Sequence, residues 1–128
     1  MEIETAGLTY LGEGKHRRTY VHPDDETLVI KVIKTDRSKN LDEFRNCRLI
    51  NRSGMGHWIA QAIELLDGGN VLVMERVVPL TRPPDEIPKF FRDTRVSNWG
   101  LLNGRPVCHD YTDIHEISQD MMTPVWKP

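Results

Sequence analysis

Residues 11–34 read LGEGKHRRTYVHPDDETLVIKVIK, and the fold turns on this stretch. It is preceded by LTYL at 8–11, then runs through a polar interval into RTYV, a turn at HPDD and the β-branched run TLVIKVI. Such runs bounded by turn residues predict two or three antiparallel strands. Period-two alternation puts Leu28, Ile30 and Val32 on one face and Val29, Lys31 and Ile33 on the other, so Lys31 is set among apolar neighbours. A lysine there is costly unless paired. Gly12-Glu13-Gly14 falls between the first two strands and is followed by Lys15-His16-Arg17-Arg18, so backbone amides and cations could together face a polyanion, with phosphate the obvious candidate.

Working outward, DRSKNLDEFRNCRLINRSG (36–54) predicts one amphipathic helix. Asp36, Ser38 and Asn40 are capping candidates, Leu41, Phe44, the Arg48 stem and Leu49 recur at helical spacing, and Gly54 marks the stop. Asp42 and Glu43 are then the carboxylates available to Lys31. IAQAIELLD, GGN and VLVMERVV read as a hairpin with Gly68 and Gly69 at the positive-φ positions, which brings the sheet to about five strands. PLTRPPDEIP cannot donate regularly to a ladder and predicts a linker or extended crossing. A second strand pair follows, Gly100 to Leu102 and RPVCHDY, joined at Asn103-Gly104. The expected fold is α+β: a five-stranded antiparallel sheet with one helix at 1–78, a Pro-rich crossing at 79–90 and a small remainder at 91–128, all one domain.

Composition narrows the function classes. The chain has 128 residues, 17 Lys+Arg, 19 Asp+Glu and a net charge of −2, which suits one core and removes the basic excess behind nonspecific phosphate-backbone binding. A nucleic-acid role would rest on KHRR alone, four clustered cations with little aromatic interleaving. The segment from Trp58 to Met74 contains Glu64 and Asp67, so no membrane span is expected. The N-terminus opens with acids and lacks a basic head before an apolar run, so a cytoplasmic location is the default. Cys47 and Cys108 form no C-x-x-C and are expected to be reduced structural thiols.

The order of these pieces resembles the protein-kinase fold: glycine-rich loop LGEGKHRRTYV, lysine strand LVIKV, a helix glutamate at Glu43, and VLVMERVV leading into a hinge at Met74, Glu75, Arg76 and Val77. Further on, Phe91-Arg92-Asp93-Thr94-Arg95-Val96-Ser97-Asn98 is similar to the catalytic loop H-R-D-x-x-x-x-N, with Phe91 in place of histidine. Asp110-Tyr111-Thr112 stands where D-F-G would. Residues 10–34 are also similar to the bacterial YrbL group, PhoP regulatory-network proteins of kinase-like fold. The resemblance implies ATP and Mg²⁺ as cofactors and transfer of the γ-phosphoryl group to a protein or small-molecule hydroxyl. Lys31 would hold the α- and β-phosphates, Glu43 would orient Lys31, and Gly12 and Gly14 would let the backbone approach them. Met74, Glu75 and Val77 would border the base, Asp93 would be the proton acceptor, and Asn98 and Asp110 would bind metal.

Departures from the family open a second reading. The third loop glycine is Arg17, so that Arg17 or Arg18 could touch phosphate directly, and the triplet glycine is Thr112. Only 18 positions separate Glu75 from Asp93, too few for the helices of a kinase C-terminal lobe, and 15 residues after Asp113 leave no A-P-E segment. The alternative is a catalytically inactive pseudokinase that regulates a protein partner, with Val77, Val78, Leu80, Phe90, Phe91 and Trp99 on the binding face; taken one at a time, these aromatics are better read as closing the small core. Self-association as a homo-oligomer is another way to cover such a face. A third class is metal binding by His109, Asp110, Asp113, His115 and Glu116. His16, His22 and His57 read as surface or turn residues, and the acids Asp113, Glu116 and Asp120 as a solvated tail.

Overall fold

The computed structural model describes residues 5–118 and the backbone of residues 124–126. Strands β1 (Tyr10–Glu13), β2 (Arg17–Val21) and β3 (Leu28–Ile33) form an antiparallel meander. Helix α1 (Ser38–Arg52) follows, and the hairpin of β4 (Ala62–Leu66) and β5 (Val71–Glu75) completes a five-stranded sheet in the order β1-β2-β3-β5-β4. The chain is therefore α+β, with one antiparallel five-stranded sheet and one α-helix among the described residues. Gly68 and Gly69 carry φ of 62° and 98° in the β4–β5 turn, as the hairpin reading required.

Beyond β5 the chain leaves the sheet. Strand β6 (Val78–Pro79) pairs with β8 (Trp99–Leu102), which turns through Asn103 and Gly104 into β9 (Arg105–Cys108). The Pro-rich crossing is more ordered than its composition suggested. Strand β7 (Glu86–Pro88) pairs antiparallel with β10 (Pro124–Trp126), and Ile87 and Phe90 reach the core. A two-stranded ladder has two edges, which is where prolines are tolerated.

Both faces of β3 are covered, and its alternation sorts the core as read. Ile30 packs with Val71 and Val73, joined by Leu8, Tyr20, Leu28 and Val32. Val29, on the other face, joins Cys47, Ile50, Leu72, Met74, Ile87, Phe90, Phe91, Trp99, Val107, Cys108 and Tyr111 in one continuous cluster. Phe90, Phe91 and Trp99 are thus core residues and not a binding face. The sheet has too few large side chains on that side to close a core alone, and these aromatics fill it. Of the expected face, Val78 is openly exposed while Val77 and Leu80 are half-buried against the same cluster. Both cysteines are free and buried.

Two boundaries differ from the sequence reading. The first strand lies two residues later than LTYL, so Gly12 and Glu13 belong to β1 and the turn itself is Gly14-Lys15-His16. The helix buries a different stripe from the apolar one, since Leu41 and Leu49 face outward while Asn40, Glu43, Asn46, Cys47 and Ile50 face inward. Three of those five are polar because the helix serves main-chain groups. Asn40 Nδ2 donates to the carbonyls of Lys31 (3.1 Å) and Gly69 (2.9 Å), and Asn46 Nδ2 to those of Tyr111 (2.9 Å) and Thr112 (3.2 Å). Asp36 Oδ1 accepts from the Ser38 amide at 3.0 Å, just ahead of the helix.

Candidate functional site

Lys31 points from β3 toward α1, and its ammonium meets Glu43 Oε1 at 2.7 Å. Of the two helix carboxylates considered, Asp42 lies on the outer side, 3.5 Å from Arg45. The Lys31 ammonium also donates to the His109 carbonyl, which ties the strand to the segment after β9. Glu43 is fully buried and receives a further cation: Arg17 NH1 lies 2.7 Å from the same Oε1. Its Oε2 accepts from the Tyr111 amide at 2.6 Å. The carboxylate thus has charged or N–H partners on both oxygens, the condition under which a buried charge is tolerated.

Arg17 completes the cluster. NH1 also donates to Asn40 Oδ1 at 3.2 Å, and NH2 stands 3.2 Å from Asp110 Oδ1. The guanidinium, expected at the loop tip near phosphate, is instead 7% exposed beneath the turn and bridges the helix glutamate to Asp110. Two cations and two carboxylates therefore meet here with their formal charges in balance. Burial alone would raise the Glu43 carboxyl, but Arg17 and Lys31 outweigh it and hold it at about 2. Burial, reinforced by the Arg17 charge, lowers the Lys31 ammonium below its usual range. Burial opposes the charge on Arg17 too, yet Glu43 and Asp110 keep it firmly cationic.

A cavity of about 750 Å³ opens over this cluster. Gly12, Glu13, Gly14, Lys15 and His16 form one edge; Met74, Glu75, Arg76 and Val77 form another. Asp93, Arg95, Asn98, Trp99, His109 and Asp110 close the far wall. Every residue singled out in the sequence for this chemistry, apart from Glu43, lines this space, and Glu43 lies directly behind Lys31. Glu75 is itself held, accepting from the Gln61 amide at 2.7 Å.

The far wall is built by a short 3₁₀ turn, Val96–Asn98, running into β8. Asn98 Nδ2 donates to the Asp93 carbonyl at 3.0 Å, and the Asn98 carbonyl accepts from the His109 amide at 2.8 Å, so loop and strand pair hold each other. The Asp93 carboxylate faces Arg95 at 3.0 Å and is half exposed. His109 was read only as a member of a metal cluster. Instead its ring borders the cavity with Nε2 buried and unpartnered, and burial, helped by Lys31, lowers its pKa to about 4.

Among the described residues no group of three His, Cys, Asp or Glu could hold a metal ion, so the set from His109 to Glu116 does not converge. Asp113 turns away to Arg92, and Glu116 is exposed; Asp120 lies outside the described residues. The narrower pair expected to hold Mg²⁺, Asn98 and Asp110, does share one wall of the cavity. Asp110, however, already faces the Arg17 guanidinium, and a divalent ion there would sit beside a fixed positive charge. No helix of the described residues is long and apolar enough to cross a membrane.

Sequence reading found that Lys31, on a buried strand, needs a carboxylate from Asp42 or Glu43, and the kinase resemblance implied Glu43. It missed the burial of Arg17 because a cation in a run of four looks like a solvated tip. No protein-family model matches this chain, and no curated protein matches it significantly.

Proposed function

We propose that this chain is a protein-kinase-like domain that binds ATP in the cavity beneath the Gly14-Lys15-His16 turn, and that it acts by binding, as a regulator of a protein partner. The observation that carries the reading is the Lys31–Glu43 pair at the cavity floor, 2.7 Å apart, overhung by the glycine-containing turn. The triphosphate would lie over Lys31 and Arg17, and the base against Met74, Glu75 and Val77. Binding without transfer is favoured by two ion pairs. Asp93, the candidate proton acceptor, is engaged by Arg95, and Asp110 by Arg17. Phosphoryl transfer depends on positioning, where an error of about 1 Å costs on the order of 10²-fold in rate.

The second reading is a minimal kinase, supported by Asp93 and Asn98 lying across the cavity from Lys31. An acceptor hydroxyl would attack the γ-phosphorus, pass its proton to Asp93, and release ADP with the electron pair of the broken bridging bond. In that reading Asn98 and Asp110 would hold Mg²⁺, and the Arg17–Asp110 pair would first have to open.

Thermal unfolding with and without ATP tests the common element, and Lys31→Met should abolish an ATP-dependent rise in Tm. Incubation with radiolabelled ATP then separates the readings. No label on the chain or on a generic acceptor supports the binder, whereas transfer lost in Asp93→Ala establishes the enzyme. An unchanged Tm at saturating ATP overturns both.

A further inference from the structure

We infer that the cavity takes its nucleotide as the metal-free anion, with the Arg17 guanidinium standing where a divalent cation would otherwise neutralise Asp110 and the phosphates. This rests on the nucleotide-binding reading and adds to it the ionic form of the ligand.

The argument starts from donor counting. A guanidinium carries five N–H groups. Arg17 commits NH1 to Glu43 and Asn40 and one N–H of NH2 to Asp110, and since it lines the cavity it retains donors for a ligand. The geometry of that fork suits phosphate oxygens, and the guanidinium is more weakly hydrated than an ammonium, so it works well when buried. Its position is fixed from both sides, by the helix through Asn40 and Glu43 and by the post-β9 segment through Asp110.

The remaining charges favour the same outcome. Glu43 and Asp110 are both compensated before any ligand enters, so neither carboxylate calls for a metal. Lys15 and Lys39 add cations around the opening, which gives a polyphosphate a positive approach without Mg²⁺, while Arg95 is paired with Asp93. Mg²⁺, by contrast, needs oxygen ligands in near-octahedral array and gives up its water reluctantly. Here it would find one carboxylate already bonded and a fixed guanidinium about 3 Å from it.

Titration with a fluorescent ATP derivative, in excess EDTA and in excess MgCl2 at matched ionic strength, tests the inference. Affinity in EDTA should equal or exceed that in MgCl2, within about threefold. Asp110→Asn, at a half-exposed position that leaves the Glu43 pairs intact, should keep or strengthen binding in EDTA because it frees Arg17 for the ligand. Arg17→Lys should weaken binding in EDTA by about tenfold, since it keeps the charge and loses the fork. If that variant fails to fold, Asp110→Asn decides the matter alone. Binding that requires MgCl2 and is lost in Asp110→Asn overturns the metal-free form and leaves the nucleotide site standing. No binding in either medium overturns the site itself, and this inference with it.

Discussion

At the scale of single residues, the fold's most exacting demand is Glu43, a carboxylate with no exposed surface and two cations on one of its oxygens. Glu43→Gln keeps the shape and removes the charge, which strands Arg17 and Lys31; a loss of about 3–5 kcal/mol in urea unfolding is expected. The pH dependence follows from the direction of the shift. A carboxyl lowered to about 2 stabilises the fold above its ordinary pKa of about 4.5, and that contribution disappears as pH falls from there toward 2. His109 acts in a higher window. Its ring is held neutral to about pH 4, so the unfolded chain takes up the proton first and stability declines as pH drops from about 6.5 to 4. Stability measured against pH should show both declines. His109→Gln should remove the upper one, worth about 3 kcal/mol, and leave the lower. Of these groups, Lys31 was legible in the sequence because its burial demands a carboxylate, while the choice of Glu43 over Asp42 came from the kinase resemblance. Arg17 was not, because its partners Asn40, Glu43 and Asp110 lie 23 or more positions away and only the folded chain brings them together.

Among the elements, the sheet was the most legible, since alternation along TLVIKVI and the GGN turn fix both faces and the hairpin. Helix α1 was placed correctly and its rotation was misread. Hydrophobic periodicity looks for apolar residues facing inward, whereas this helix turns two amides inward to the carbonyls of Lys31, Gly69, Tyr111 and Thr112, and a carboxylate inward to the Tyr111 amide. The crossing at 79–90 is extended, and its proline content, which argues against a central strand, is compatible with the edge position that β7 occupies. Strands β6 and β8 meet through Gly100, where an added Cβ would stand 2.3 Å from Val77 Cγ2 and 2.9 Å from the Val78 carbonyl. Gly100→Ala should therefore destabilise the chain by about 1–3 kcal/mol through overpacking. Adding Val77→Ala should recover part of that loss in the same unfolding assay, and no recovery would locate the strain in the Val77 Cβ, 2.7 Å away, or in the Val78 carbonyl.

For the molecule as a whole, the principal core contains Val29 and Leu72 from the sheet, Ile50 from the helix, and Phe90, Trp99, Val107 and Tyr111 from the later segments. Such a core unfolds as one unit, so fluorescence and far-UV circular dichroism should report coincident denaturation midpoints. The piece 1–78, cut from the rest, should show no cooperative transition; a sharp one would establish it as a separate domain. How the later segments complete the core was not legible in the sequence, because the contacts join residues as far apart as Glu43 and Tyr111. That last bond bears on birth at the ribosome. Synthesis delivers the helix long before its distant amide partner emerges, so until then Glu43 keeps its water and the nascent protein stays loose and open to chaperones. A prematurely terminated product would keep this unfinished state, with the apolar face that Phe90, Trp99 and Tyr111 cover left open to water.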